Sequence, residues 1–342
     1  MSSKQIGNKF FFNSNLRVLK YIALLLPLCN APAFADTHSI ISNLRHSIDA
    51  STRYIDVKAE NESGYMHMLG VDMHSVWSDD NRDIGTFLLQ GYFTRLDNII
   101  RRPGFFDGPD DTRFVFRNFY FDYTGWGLGK PKVRFGHFEI PYGLEQTINT
   151  NGTIRDFTHG RNLGTKADWG MSVHNENESF EYDIAYTRGS IQDWDRPSGS
   201  FTYSARISTP REQNFAIGAA IYDSELNGIE RTRFGIDTQW YIGLFGILSQ
   251  VDIGNTDGDD VINGFTEFNW RSPKENIFLY WQTAYFSQEG ANNDRQKALN
   301  NKAGIEFLVD QHWSLSTQYD RDNTVFSGKR QRTLILQIRY RS

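Results

Sequence analysis

Three stretches near the C-terminus decide the fold: "KALNNKAGIEFLVD" (297–310), "HWSLSTQYD" (312–320) and "RTLILQIRY" (332–340). In the first, Leu299, Ala303, Ile305, Phe307 and Val309 share one parity, and Asn300, Lys302 and Glu306 share the other. In the second, Trp313, Leu315, Thr317 and Tyr319 alternate with His312, Ser314, Ser316, Gln318 and Asp320. In the third, Leu334, Leu336, Ile338 and Tyr340 alternate with Thr333, Ile335, Gln337 and Arg339. A period of two puts each set on one face of a sheet. One face is apolar with aromatic ends; the other is polar and charged.

The pattern recurs upstream. "FTYSARIST" sets Phe201, Tyr203, Ala205 and Ile207 against Thr202, Ser204 and Arg206. "RFGIDTQW" sets Phe234, Ile236 and Trp240 against Arg233, Asp237 and Gln239. "WGMSVH" sets Trp169, Met171 and Val173 against Gly170, Ser172 and His174. In a soluble sandwich the apolar faces are buried against a second sheet. Here nearly every strand has one apolar face with Trp, Tyr or Phe near its ends. That suits a lipid-facing band with aromatic girdles around a polar lumen. The expected fold class is all-β, a transmembrane antiparallel β-barrel.

Sixteen segments carry the pattern, near 42–57, 65–77, 84–97, 112–123, 131–140, 167–174, 178–188, 199–209, 213–223, 229–240, 243–253, 260–271, 275–287, 297–308, 311–320 and 330–341. An even count fits a single-chain barrel of a Gram-negative outer membrane. The first three alternate least cleanly, which leaves fourteen and eighteen strands as alternatives. Even-to-odd connections such as "NENES" and "SPKEN" read as short periplasmic turns, and odd-to-even ones such as "IIRRPGFFDGPD" and "GSIQDWDRPSG" as longer outer loops.

The N-terminus gives the location. Residues 1–35 hold Lys4, Lys9, Arg17 and Lys20, no acid, the apolar run "YIALLLPL" and then "AFA" at 33–35. A basic region, a short apolar core and an A-x-A site predict a secretory signal peptide cut after Ala35. The expected domains are thus a signal, 1–35, and an outer-membrane barrel, 36–342. The only cysteine, Cys29, leaves with the signal, so the mature chain has no disulfide. Removing four basic residues takes the net charge from −5 to −9. So acidic a chain lacks the basic face that nucleic-acid binding needs.

One connection is unusually long. Between Pro141 and Lys166, after the fifth strand, lie about two dozen residues rich in Gly, Asn, Thr, Arg and His. Loops of that length are functional or disordered. Its borders, "VRFGHFEIPYGLE" (Val133–Glu145) and "HGRNLGTKADWGMSV" (His159–Val173), resemble the phosphate-selective porin (porin O and P type) family and general porins. The resemblance covers about a tenth of the chain. It implies trimers of sixteen-stranded barrels with this loop folded inward as a pore constriction. Candidate constriction residues are Glu139, Glu145, Arg155, Asp156, Arg161 and Lys166, with His137 on the nearby wall. Where anion-selective members carry lysine in G-x-F-K-x-P, this chain has Glu139, so phosphate specificity is not expected. Acids beside bases predict a mixed-charge constriction.

Other chemistry is thinly represented. His67 and His74 are seven residues apart, on opposite faces of a strand, and cannot share a metal. "DIGNTDGDD" (Asp252–Asp260) lacks ligands that a calcium loop needs, at Ile253 and Gly264, and reads as an acidic outer turn. No G-x-S-x-G or P-loop is present. The expectation is a non-enzymatic passive channel for small hydrophilic solutes or ions, without cofactor or metal. Its partners are outer-membrane lipid and lipopolysaccharide and, by resemblance, two further copies of the chain. The alternative is a closed-lumen barrel acting as a structural or adhesion protein or an outer-membrane hydrolase.

Overall fold

The computed structural model describes residues 43–78, 82–98, 111–127, 129–148, 150, 152–194, 199–290, 295–325 and 330–342. The proposed signal, 1–35, and much of several outer loops lie outside them. Sixteen strands form one closed antiparallel barrel in which each strand pairs with its sequence neighbours and β1 pairs with β16. They are β1 (Arg45–Val57), β2 (Glu62–Ser78), β3 (Asp83–Asp97), β4 (Thr112–Tyr123), β5 (Lys132–Glu139), β6 (Ala167–Glu176), β7 (Glu181–Thr187) and β8 (Phe201–Ser208). There follow β9 (Phe215–Leu226), β10 (Ile229–Ile242), β11 (Phe245–Thr256), β12 (Asp259–Arg271), β13 (Ile277–Glu289), β14 (Arg295–Leu308), β15 (Trp313–Thr324) and β16 (Arg332–Arg341). Every predicted segment matches one strand. The ends of the barrel meet where Ser342 N donates to Ile48 O, so β1 begins at the end where β16 finishes.

Burial is inverted relative to a soluble protein. On β10, Phe234, Ile236 and Trp240 are 46–48% exposed, whereas Arg233, Asp237 and Gln239 are buried. On β16, Leu336 and Ile338 are exposed, while Gln337 and Arg339 are buried. The same holds for Tyr203 and Ile207 against Ser204 and Arg206 on β8. The apolar parity thus faces outward and the polar parity inward. No water in a bilayer core can pair a free N–H or C=O, and closing the ladder removes the edge strands that would otherwise leave them unpaired.

Two connections depart from the expected long outer loops. Asn227–Gly228 and Asp257–Gly258 are two-residue hairpins, with φ of 54° and 77° in the first and 50° and 89° in the second. Asn-Gly and Asp-Gly are the dipeptides that tolerate two successive left-handed residues. Strands β9 to β12 simply run on into tight turns, and "DIGNTDGDD" proves to be a strand end and a hairpin.

The wall is irregular at β5. The β4–β5 ladder holds five residue pairs, from Phe119↔His137 to Tyr123↔Val133. At Gly136, φ is 135° and a Cβ would run into the Phe119 carbonyl, so only glycine fits so close to β4. Arg117 sits in a bulge between the pairs Gln90↔Asn118 and Gly91↔Phe116. Beyond Ile140 the chain leaves the wall.

The inverted pattern makes a direct prediction. Ile236, mid-strand on the outward face of β10, should tolerate no charge: Ile236→Arg is expected to cost about 2–4 kcal/mol of folding stability in lipid. Urea unfolding followed on unheated gels checks this, and an unchanged midpoint contradicts the outward assignment.

Candidate functional site: the loop inside the barrel

The long loop closes at its neck with Ile140 N donating to Lys166 O at 2.9 Å. Proline at 141 holds Ile140 extended and ends the strand. From there the loop runs across side chains of ten strands. Its first limb is moored on β11 and β10. Tyr142 Oη donates to Asp252 Oδ1 at 2.8 Å, and Leu144 N donates to Gln250 Oε1 at 2.9 Å. Gln239 Nε2 donates to Thr147 Oγ1 at 2.7 Å. On the far side, Gln146 Nε2 donates to Asp183 of β7 at 2.9 Å.

The tip reaches the seam where β1 and β16 close the barrel. Gln337 Nε2 of β16 donates to Gly152 O, and Arg53 Nη2 of β1 donates to Thr153 O, each at 2.9 Å. The return limb uses charges. Arg155 meets Glu267 of β12 with two bonds, Nε to Oε2 at 2.8 Å and Nη2 to Oε1 at 2.5 Å. Its guanidinium also lies over Phe157 and Phe278 at 5.0 and 5.2 Å. Asp156 pairs with Lys302 of β14 at 2.5 Å. A single helical turn, α1 (His159–Asn162), then carries the chain back toward the neck. Tyr222 of β9 donates to Leu163 O at 2.9 Å.

Apolar side chains sit beneath the loop where a lumen would otherwise be polar. Ile140, Tyr142 and Leu163 pack with Ala220 and Tyr222, and Leu144 and Phe157 pack on Leu248 and Phe265. Burying each large side chain is worth about 1.5–3 kcal/mol. The loop is therefore built into the lumen as a small core, not suspended there by ion pairs alone.

Asp252 is the mooring's centre. Fully buried, its carboxylate accepts from Tyr142 Oη and Asn162 Nδ2 of the loop, and from Gln250 Nε2 and Asn263 Nδ2 of the wall. Asn162 in turn accepts from Arg233 Nε at 2.9 Å. Both limbs of the loop thus meet on one carboxylate. In the sequence Asp252 stood at the head of the rejected calcium motif; only the inward parity of β11 distinguishes it from the acids of the hairpin. Among the described residues no group of His, Cys, Asp and Glu is arranged to hold a metal ion.

The predicted constriction residues fall into distinct settings. Glu145 and Lys166 come together: Lys166 Nζ lies 2.5 Å from one carboxylate oxygen, and His159 N donates to the other at 3.1 Å. Burial by itself raises the Glu145 carboxyl, but Lys166 and then His159 outweigh it and hold it at about 2, below its ordinary 4.5. This mooring is therefore complete above the ordinary value and is lost only as pH falls through about 2. Burial lowers the His159 imidazole against the pull of Glu145. Arg155 and Asp156 diverge to β12 and β14. Arg161 is exposed, its guanidinium 5.2 Å from the Phe286 ring. Glu139 pairs with Arg117, whose Nη2 also donates to Thr150 Oγ1 of the loop at 3.2 Å.

His137 departs from expectation. It is fully buried, with its ring nitrogens 3.1 Å from the carbonyls of Arg117 and Ile191. Its ring packs on Phe116 and Trp169. Across the ladder His137 faces Phe119 and Trp169, and Trp169 shares the parity of the exposed Met171 and Val173, so His137 belongs to the outer face and not to the passage; alternation ends there, and Glu139 turns to Arg117. The wall partners Arg53, Arg117, Asp252, Glu267 and Lys302 escaped sequence reading because they are scattered over two hundred residues. The one signal they gave was polar parity, and Arg117, in its bulge, lacked even that.

No family model and no curated protein matches the chain. Many solved structures do. The anion-selective porin from Comamonas acidovorans is 14% identical, with 87% of this chain and 99% of that one covered at a TM-score of 0.62. OprB of Pseudomonas putida, in its high-pH structure, is 10% identical, with 88% and 95% covered at 0.65. The trimer form of OmpT, an outer membrane protein of Vibrio cholerae, is 13% identical, with 87% and 99% covered at 0.61. At such identities the likeness is one of fold: this chain has the sixteen-stranded barrel that outer-membrane porins have, and nothing in the comparisons singles out the phosphate-selective type.

Proposed function

We propose that the chain is an outer-membrane porin, a passive diffusion channel for small hydrophilic solutes or ions. The observation that carries this is a closed barrel, apolar outside and polar inside, crossed by a moored loop at residues 141–166. Channel selectivity in such a lumen comes from diameter and from the charges that solutes pass. The charges left partly open are Asp156 and Lys166, with side chains 49% and 47% exposed, the exposed Arg161, and the Glu139–Arg117 pair at 22% each. Glu145 and Arg155 serve mainly to hold the loop, at 4% and 14%. In this reading the constriction is of mixed charge, no catalytic constellation is present among the described residues, and the protein acts without a cofactor. A signal cut after Ala35, an outer-membrane location among lipid and lipopolysaccharide, and a homotrimer complete the reading; the trimer draws support from the V. cholerae form.

The mooring of the loop tip on β1 and β16 lends the competing reading its one support, that of a barrel with a closed lumen and a structural, adhesion or hydrolytic role. Conductance separates the two.

A deletion and a substitution test the passage. Deleting 148–160 removes the tip and its contacts with β1, β12, β14 and β16, and should raise single-channel conductance; an unchanged step size places the passage elsewhere. Glu139→Lys should move the reversal potential in a salt gradient toward anions, because it puts a second cation beside Arg117 where charges are weakly screened. The shift should shrink in high salt, and its absence at low salt removes Glu139 from the passage. A third concerns the mooring. Asp252→Ala leaves buried donors on Tyr142, Asn162 and Asn263 without their acceptor, at about 1–3 kcal/mol each. Purified in detergent, this variant should show faster proteolysis within 141–166 than wild type while the barrel stays folded on unheated gels. Equal resistance contradicts the anchoring role.

A further inference from the structure

The outward face changes character at one sector of its rim. The β15–β16 ladder runs for nine residue pairs, from Trp313↔Tyr340 to Arg321↔Arg332. Between those ends the outward positions are Leu315, Thr317 and Tyr319 on β15, and Leu334, Leu336 and Ile338 on β16. Nine residues of a tilted strand are about the length that crosses the hydrocarbon of a bilayer. With Trp313 and Tyr340 at one interface, Arg321 and Arg332 stand at the other, on the lipid-facing parity. The row continues onto β1. Val57 pairs with Thr333, and Lys58 N donates to Arg332 O at 2.9 Å, so Lys58 is the next neighbour of Arg332. Lys58 shares the parity of Tyr54, which lies opposite the exposed Leu336.

Three cations thus lie side by side on adjacent strands, and Arg330 just precedes β16. Like charges directly opposite one another are destabilising. Nothing in the wall offsets them. Arg321, Arg330 and Arg332 are exposed, and their side chains have no hydrogen bond or ion pair among the described residues. Lys58 reaches Asp56 at 2.6 Å yet stays 68% exposed. The other acids nearby are taken: Asp322 accepts from Gln331 N and Asn300 Nδ2, and Glu60 accepts from Gln331 Nε2. With Asn323, the four cations border an open recess of about 600 Å³.

We propose that this row docks the phosphorylated sugar headgroup of a lipopolysaccharide molecule, with its acyl chains lying along Tyr319, Leu334 and Leu336. A phosphate supplies what the row lacks, several oxygens that a guanidinium fork can bind in pairs. Adjacent strands are about 4.8 Å apart, so β15, β16 and β1 span roughly 10 Å. Four cations over that distance exceed what one phosphate neutralises and suit a headgroup with phosphates at more than one position. The apolar strip directly beneath the row favours a lipid over a free anion, which would gain nothing from it. The outward parity also keeps these cations out of the lumen, so they form no part of the constriction. The assignment to the outer leaflet rests on the proposed outer-membrane location; the phosphate-binding row does not.

The test is native mass spectrometry of the full-length protein, refolded from urea into uncharged detergent and titrated with bisphosphorylated lipid A. Arg321→Gln combined with Arg332→Gln should weaken binding roughly 30-fold, since each cation at an anionic lipid surface is worth about fivefold in affinity. Dephosphorylated lipid A should bind wild type no better than lipid A binds that variant. Lys274→Gln, an exposed cation in the turn at the opposite rim, should change nothing. Wild-type affinity in the double variant overturns the proposal. So does an equal loss in Lys274→Gln or equal affinity for phosphatidylglycerol, either of which reports overall charge only. Displacement of lipid A by inorganic phosphate at equal concentration makes the row a free-anion site and overturns it too. Should the double variant fail to fold on unheated gels, Lys58→Gln with Arg330→Gln takes its place, and wild-type affinity there is equally contradictory. Binding is read without current, so its failure leaves the channel reading standing, and a barrel that does not conduct leaves the docking site standing.

Discussion

The constraint on which this structure depends is that no backbone N–H or C=O remains unpaired in hydrocarbon. It closes sixteen strands on themselves and turns the usual burial pattern inside out. It also sets the terms on which a strand can leave the wall. When the chain departs at Ile140, the amides and carbonyls of β4 that lose their neighbour are met by the carboxamide of Gln192 and the ring of His137. An inward loop is affordable only with such replacements at its root.

Inside the barrel a second constraint operates. A loop of this length is entropically expensive to order, at about 1–2 kcal/mol for each backbone fixed. Hydrogen bonds to water compete with those to the wall, so charges alone would hold it weakly. The chain adds a core. Leu144, Phe157 and Leu163 are inserted against Leu248, Phe265 and Tyr222, whose inward parity is otherwise polar. Asp252, taking donors from both limbs and from its own wall, then fixes the register of the loop on β11 and β12. For the channel proposed above, a loop held in this way sets the aperture on which solute selection depends.

Much of the fold was legible because the barrel's code is local. Leu336 and Ile338 against Gln337 and Arg339 specify two faces within four residues, and twelve or more such segments identify the architecture. Even β1 to β3, where Met66 and Leu96 interrupt the polar parity, fell in place once the rest was counted. The site was legible only in outline. Loop length and position located residues 141–166, and Glu145 with Lys166 is a short-range pair. Their wall partners are long-range: Arg155 finds Glu267 and Asp156 finds Lys302 across 112 and 146 residues. His137 was misplaced for a physical reason. Its polarity suggested the lumen, but a histidine on the outer parity is accommodated when another segment covers it and supplies carbonyls.

The central claim is that this inverted barrel conducts through the space its loop narrows. Its most direct test is planar-bilayer recording of the purified wild-type protein at low and high salt. The account predicts discrete, stable current steps that scale with salt concentration, with a reversal potential in a gradient that weakens as salt rises. A reconstituted, correctly folded barrel that passes no current would contradict it.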